Sequence, residues 1–168
     1  FLSFQGMSIH NENLKKGILM EETKFALLKY LEEYLNLGGF PEIVGKQAEF
    51  KIKVLEQYFD DILYKDIVDR YNLNSQKTNE IALFFMTNIT GIVSLRNIRN
   101  VLKISYDTIK EYLSHCKEAF LFFTLDHFSY SFKEQKTRAS KIYCIDNGLR
   151  NAVSFRFSED EGKLVENL

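Results

Sequence analysis

The stretch SLRNIRNVLKISYDTIKEYLSHCKEAF, residues 94–120, decides the fold. It divides into two short amphipathic segments joined by a tight turn, the spacing of a helix-turn-helix. In the first segment Leu95, Ile98, Val101 and Leu102 share one side and Arg96, Arg99 and Lys103 the other, as a period of three to four residues requires. Ser105 opens the second, where its hydroxyl can accept a hydrogen bond from a free backbone N–H of the first turn. Beyond it Ile109, Tyr112, Leu113, Cys116 and Phe120 continue an apolar stripe expected to face inward.

Reading outward from this motif gives the rest of the architecture. Residues 76–90 predict another helix, with Ile81, Leu83, Phe84, Phe85 and Met86 buried and Gly91 at its end. After the motif, LFFTLDHFSYSF (121–132) and KIYCID (141–146) have strand composition, with the polar KEQKTRAS between them. Three helices followed by a β-hairpin make a winged helix over 76–146, and the polar stretch is its wing. Upstream, residues 48–71 carry the longest helical pattern, with Leu55, Tyr58, Phe59, Ile62, Leu63 and Ile67 as a wide stripe. On its polar face Asp66 and Arg70 stand four apart, where they can pair, while the adjacent Asp60 and Asp61 diverge by about 100° and make no acid/base pair. Residues 21–37 form a helix with Phe25, Leu28, Leu31 and Leu35 at helical spacing, closed by Gly38 in a left-handed cap. GGFPEIV (38–44) follows as an inward-packed turn rather than a phosphate loop, because neither GxxxxGK nor GxGxxG is present. The fold class expected is mostly α with a small β-hairpin: a helical segment followed by a winged helix-turn-helix.

Composition bounds the function. The 168 residues are 45% hydrophobic, with fifteen Phe, nine Tyr and a single Pro, enough for a packed core of long helices without staples. No apolar run reaches membrane-spanning length, so the chain is read as cytoplasmic and without a membrane partner. Cys116 and Cys144 lack CxxC spacing and a neighbouring histidine, and read as buried reduced thiols. His10, His115 and His127 are scattered; no metal site and no catalytic residue is assigned.

A net charge of -1 means that any nucleic-acid contact must come from a local patch. The candidates for a DNA backbone are Arg96, Arg99 and Lys103 on the first motif helix and Lys133, Lys136, Arg138 and Lys141 at the wing. The base-facing candidates are Ser105, Tyr106, Thr108 and Lys110. The second helix is poorly suited to reading bases: Asp107, Glu111 and Glu118 outnumber Lys110 and Lys117, and no Arg is present for guanine. Duplex DNA held through phosphates and a winged helix used only for protein packing therefore both remain open.

Several segments, in order, resemble the C-terminal half of a family of bacterial and archaeal AAA-type ATPases: FLSFQG (1–6), YLNLGGFPEIV (34–44), YFDDILYKDIVDRY (58–71), the run 104–135, KIYCIDNGLRNA (141–152) and GKLVENL (162–168). The resemblance implies a winged helix between an ATPase domain and a restriction-endonuclease-like domain of unknown function. On that basis 1–47 is expected to be the remnant or lid of the ATPase region, 48–146 a helical linker and winged helix, and 147–168 the start of a truncated nuclease-like domain. The resemblance also implies ATP and Mg²⁺ for the whole protein, though none for this chain. Arg70 becomes a candidate arginine acting in trans on a neighbour in a homo-oligomer, and Glu166 a lone remnant carboxylate unable to hold a metal by itself. The chain is expected to be a non-catalytic fragment that couples nucleotide state to the nuclease-like domain. The alternatives are a protein-interaction module without nucleic acid and a stand-alone winged-helix transcription regulator.

Overall fold

Apolar periodicity produces a helical layer first. The computed structural model describes residues 1–6, 21–154 and 161–168, and the side chains of Glu22 and Lys136 also lie outside the described set. Helix α1 (Glu21–Leu37) ends where Gly38, at φ +78°, returns its N–H to the Tyr34 carbonyl, the left-handed cap its position predicts. A 3-10 turn at Pro41–Ile43 buries Ile43 and leads to α2 (Ala48–Asp60), which widens into π-helical turns over Asp61–Asp69. Leu55, Phe59, Leu63 and Ile67 run along this continuous rod fully buried, with Tyr58 and Ile62 half-buried beside them. On its polar face Lys65 pairs with Asp61 at 2.8 Å, and Asp66 and Arg70 do not pair with each other.

The second half begins with α3 (Ser75–Thr87), capped by Asn74, which buries Ile81, Phe85 and Met86. It ends four residues before Gly91, and Thr90 takes a left-handed φ of 60° while donating its N–H to the Ile142 carbonyl. Then follow β1 (Ile92–Val93), α4 (Leu95–Leu102), α5 (Tyr106–Glu118), β2 (Phe122–Leu125), α6 (Phe132–Thr137), β3 (Ser140–Cys144), α7 (Asn147–Val153) and α8 (Glu161–Glu166). The strands form one antiparallel sheet in the order β1-β3-β2, with Phe123 opposite Tyr143 and Ile92 opposite Lys141. The molecule is thus mostly helical with a small three-stranded antiparallel sheet. One hydrophobic cluster runs from Ile43 through α2, α3 and α5 to Ile142 and Leu149.

Three expectations fail locally. The strand expected over 121–132 stops at Leu125, and residues 132–137, expected in part as a polar wing tip, form α6. Here the alternating Phe-Ser-Tyr-Ser-Phe pattern (128–132) mimics strand periodicity, but Ser131 caps a helix by accepting from the Glu134 N–H. On α1, Phe25, Leu28 and Leu31 are exposed, while the half-buried side runs through Ala26, Leu27, Tyr30 and Tyr34, because α1 packs against α7 and α2. On the motif helices Ile98, Ile109, Tyr112, Leu113 and Cys116 are buried as expected, whereas Val101 and Phe120 face solvent.

Candidate functional site

The surface of α4 carries cations that have no compensating carboxylate on the helix itself. Its sequence, LRNIRNVL, contains no carboxylate, and Ile98 anchors it in the core. Arg96 and Arg99 stand at i and i+3, about 60° apart on an ideal helix, and Lys103 follows just beyond the last helical residue. All three are exposed, and among the described residues none has an ion-pair partner. Lys103 caps the helix in the left-handed region, at φ 57°, with its N–H on the Arg99 carbonyl, so the turn Lys103-Ile104-Ser105 delivers the chain directly into α5. Burial of Ile104 fixes that turn.

The start of α5 is occupied by its own cap. The Ser105 hydroxyl accepts from the Thr108 N–H at 3.1 Å and lies 2.7 Å from the Thr108 hydroxyl. Two of the four base-facing candidates thereby satisfy each other. Tyr106 and Lys110 remain exposed, beside the carboxylates of Asp107 and Glu111. Farther along, Lys117 donates to the Thr124 hydroxyl and Glu118 accepts from the Tyr71 hydroxyl. Tyr71 also stacks on His115 at 3.8 Å between ring centroids, so this end of α5 is held against the π-helical segment. Arg70 lies over the Tyr71 ring, 5.7 Å from its centroid.

The basic cluster between β2 and β3 is partly neutralised. Arg138 lies 3.6 Å from Glu134 and 3.0 Å from the His127 ring, and Lys141 pairs with Glu166. Hydrogen bonds from Lys141 and then Tyr143 hold the Glu166 carboxyl below its ordinary range. Lys133 is exposed and without an ion pair among the described residues, and the Lys136 side chain lies outside them. Glu166, expected as a remnant carboxylate, instead ties α8 to the sheet. Next to it the Asn167 amide bonds both the N–H and the carbonyl of Cys144, taking the place of a neighbouring strand.

Two glycine-bearing segments, Gly38-Gly39 and Asp146-Asn147-Gly148, meet in the interior. The Asp146 carboxylate accepts from the Leu149 N–H at the start of α7 and from the Gly39 N–H across 107 residues of sequence. Burial nevertheless pushes the Asp146 carboxyl above its ordinary range. A Cβ on Gly38 would lie 2.0 Å from Asp146, and one on Gly148 would lie 2.1 Å from the Leu37 carbonyl oxygen. Arg150 is 2% exposed, reaching the Met86 carbonyl and Asn151, and Asn151 bonds the Leu35 and Asn36 carbonyls that end α1. Sequence reasoning did not foresee this junction: the GG and DNG segments each signal a turn, but neither signals the other.

Burial raises the Cys116 thiol to about 12 and Cys144 to about 11, which makes both poor nucleophiles at neutral pH. Among the described residues no group of three or more His, Cys, Asp or Glu is arranged to hold a metal ion, and no helix is long and apolar enough to cross a membrane. His10 lies outside the described residues.

Fold and surface together define a mostly helical domain with a small antiparallel sheet and a surface helix whose cations have no ion-pair partner among the described residues. The chain belongs to the family described as Domain of unknown function (DUF8612), which matches residues 28–160. It is similar to the uncharacterized protein MJ1544 of Methanocaldococcus jannaschii, 37% identical over all of this chain and 37% of that protein. It is also similar to an uncharacterized protein of Haemophilus influenzae, 28% identical over 83% of this chain and 36% of that one. The chain therefore spans little more than a third of either relative. No solved structure matches. The resemblance to AAA-type ATPases drawn from the sequence is corrected by these matches, since the family and both relatives carry no such description. The in-trans role for Arg70, the ATP and Mg²⁺ expected for a longer protein, and the assignment of 1–47 and 147–168 to flanking ATPase and nuclease-like domains rested on that resemblance alone.

Proposed function

We propose that residues 75–144 act as a winged helix-turn-helix that holds duplex DNA through its phosphates, with α4 as the gripping element. The element order α3-β1-α4-α5-β2-α6-β3 and the strand order β1-β3-β2 support the winged-helix reading, with the short α6 inserted in the wing. The observation that carries the DNA contact is the set Arg96 and Arg99, exposed on one face of a helix that has no carboxylate, with Lys103 exposed at its left-handed C-cap. Guanidinium and ammonium groups release counterions when they meet phosphates, and that release drives sequence-independent binding. Base reading is weak in this scheme, because the Ser105 and Thr108 hydroxyls are engaged in the cap and α5 presents carboxylates beside Lys110.

Fluorescence anisotropy with a labelled 20-base-pair duplex at low salt tests the reading. The Arg96→Ala/Arg99→Ala/Lys103→Ala variant is expected to bind at least tenfold more weakly, because each phosphate contact adds to the electrostatic term. Unchanged affinity would overturn the proposal. A second reading, a module that docks a protein partner, is favoured by the outer face of the sheet, where Ile92, Phe123, Leu125 and Ile145 are all exposed.

A further inference from the structure

The connection between β2 and β3 is a built structure, not a slack loop. Asp126 accepts from the Ser140 hydroxyl at its base, and Arg138 bonds the His127 ring. In its middle the Ser129 hydroxyl donates to Glu134 and accepts from the Ser131 N–H, Gln135 donates to the Ser129 carbonyl, and Ser131 caps α6. Against this frame Phe128 and Tyr130 form an edge-to-face pair, 5.3 Å between centroids at 74°. Both rings face solvent, Phe128 at 73% exposure and Tyr130 at 100%. Aromatic rings are ordinarily the residues a fold has most to gain by burying, so a framework that fixes two of them outward suits a partner that offers flat apolar faces. Charge narrows the choice: Lys133, Lys136, Arg138 and Lys141 outnumber Asp126, Glu134 and the Glu166 that pairs with Lys141, leaving a net positive setting. Flat rings flanked by phosphates are what unpaired nucleobases present.

We infer that this connection is a stacking platform for unpaired bases, so that the preferred ligand is a duplex bearing a single-stranded end rather than an uninterrupted duplex. The inference rests on the winged-helix reading for the duplex arm, which α4 would hold, while Phe128 and Tyr130 take the first bases beyond it. Its test compares three DNAs by anisotropy: a blunt 20-base-pair duplex, the same duplex with a ten-nucleotide single-stranded extension, and the ten-nucleotide strand alone. A 2-aminopurine at the first unpaired position of the extended duplex reports stacking directly. The native chain is expected to bind the extended duplex about tenfold more tightly than the blunt one and to change the 2-aminopurine emission. Phe128→Ala/Tyr130→Ala is expected to erase both effects while retaining blunt-duplex affinity, and Tyr130→Leu, which keeps an apolar group without an aromatic face, should behave the same way.

Equal binding of the blunt and extended duplexes by the native chain would overturn the platform and leave the α4 grip standing. Tight binding of the extended duplex with no measurable blunt-duplex binding would do the reverse. If the native chain instead binds phosphatidylglycerol vesicles, and Tyr130→Leu keeps that binding while Phe128→Ala/Tyr130→Ala loses it, the rings serve a lipid surface and the base-stacking inference is wrong.

Discussion

Two helix ends in this chain use the same backbone conformation with different residues. Helix α1 ends at Gly38 with φ +78°, whereas α5 ends at Phe120 with φ +57°, closed by N–H bonds from Phe120 to Lys117 and from Leu121 to Cys116. Both are left-handed caps of the type that favours glycine. At α1 the packing leaves no room for anything larger, because a side chain there would enter the Asp146 carboxylate. At α5 the position is open, and a bulky ring is kept there, 65% exposed. Lys103, the left-handed cap of α4, repeats the second pattern with a cation. The buried end is shaped by packing alone, whereas the exposed ends hold side chains that the fold itself does not need.

This contrast can be broken first at the buried end. Gly148→Ala forces a methyl group against the Leu37 carbonyl and is expected to destabilise the chain by about 3 kcal/mol, read as a lower denaturant midpoint. A midpoint near that of the native chain would show that α1 and α7 can separate cheaply. Asp146→Ala removes both the α7 cap and the tie to Gly39, and about 2 kcal/mol should be lost.

Acidity adds a sharper reading at the same place. Because burial raises the folded-state pKa of Asp146, its titration contributes stability that is fully present below the unfolded carboxylate range and is lost as pH rises through the raised value. The difference in unfolding free energy between the native chain and Asp146→Asn should therefore shift against the native chain as pH climbs from 3.5 to 6. A pH-independent difference would mean that Asp146 does not titrate as a buried group.

The exposed ends should respond the opposite way, and more weakly. Phe120→Gly and Lys103→Gly each relieve a left-handed side chain, a gain of about 1–2 kcal/mol offset by glycine's larger backbone entropy. The net expected is a stabilisation of about 0.5 kcal/mol in each case. Lys103→Gly should at the same time weaken duplex binding, separating stability from function at one residue. A variant that loses stability would indicate that these side chains support the fold after all.

How far the sequence could be read follows the same division. Local signals were legible where one residue decides the outcome: Gly38 as a cap, Ser105 as an N-cap, and the stripe from Leu55 to Ile67. Periodicity misled where two patterns coincide. The aromatic-serine alternation at 128–132 has strand spacing but supplies a helix cap, and the Phe25-Leu28-Leu31 row has core spacing but faces outward. The Gly39–Asp146 contact was beyond reach, since nothing in either segment names its partner 107 residues away. The cations of α4 could be placed on one face from spacing alone, but only the folded surroundings reveal that they have no ion-pair partners among the described residues, unlike Arg138 and Lys141.

The salt dependence of duplex binding tests the central claim most directly. If Arg96, Arg99 and Lys103 each meet a phosphate, the native chain's plot of log affinity against log salt should be steeper than that of the Arg96→Ala/Arg99→Ala/Lys103→Ala variant by about 2.7, at roughly 0.9 per contact. Equal slopes for the two proteins would contradict the account.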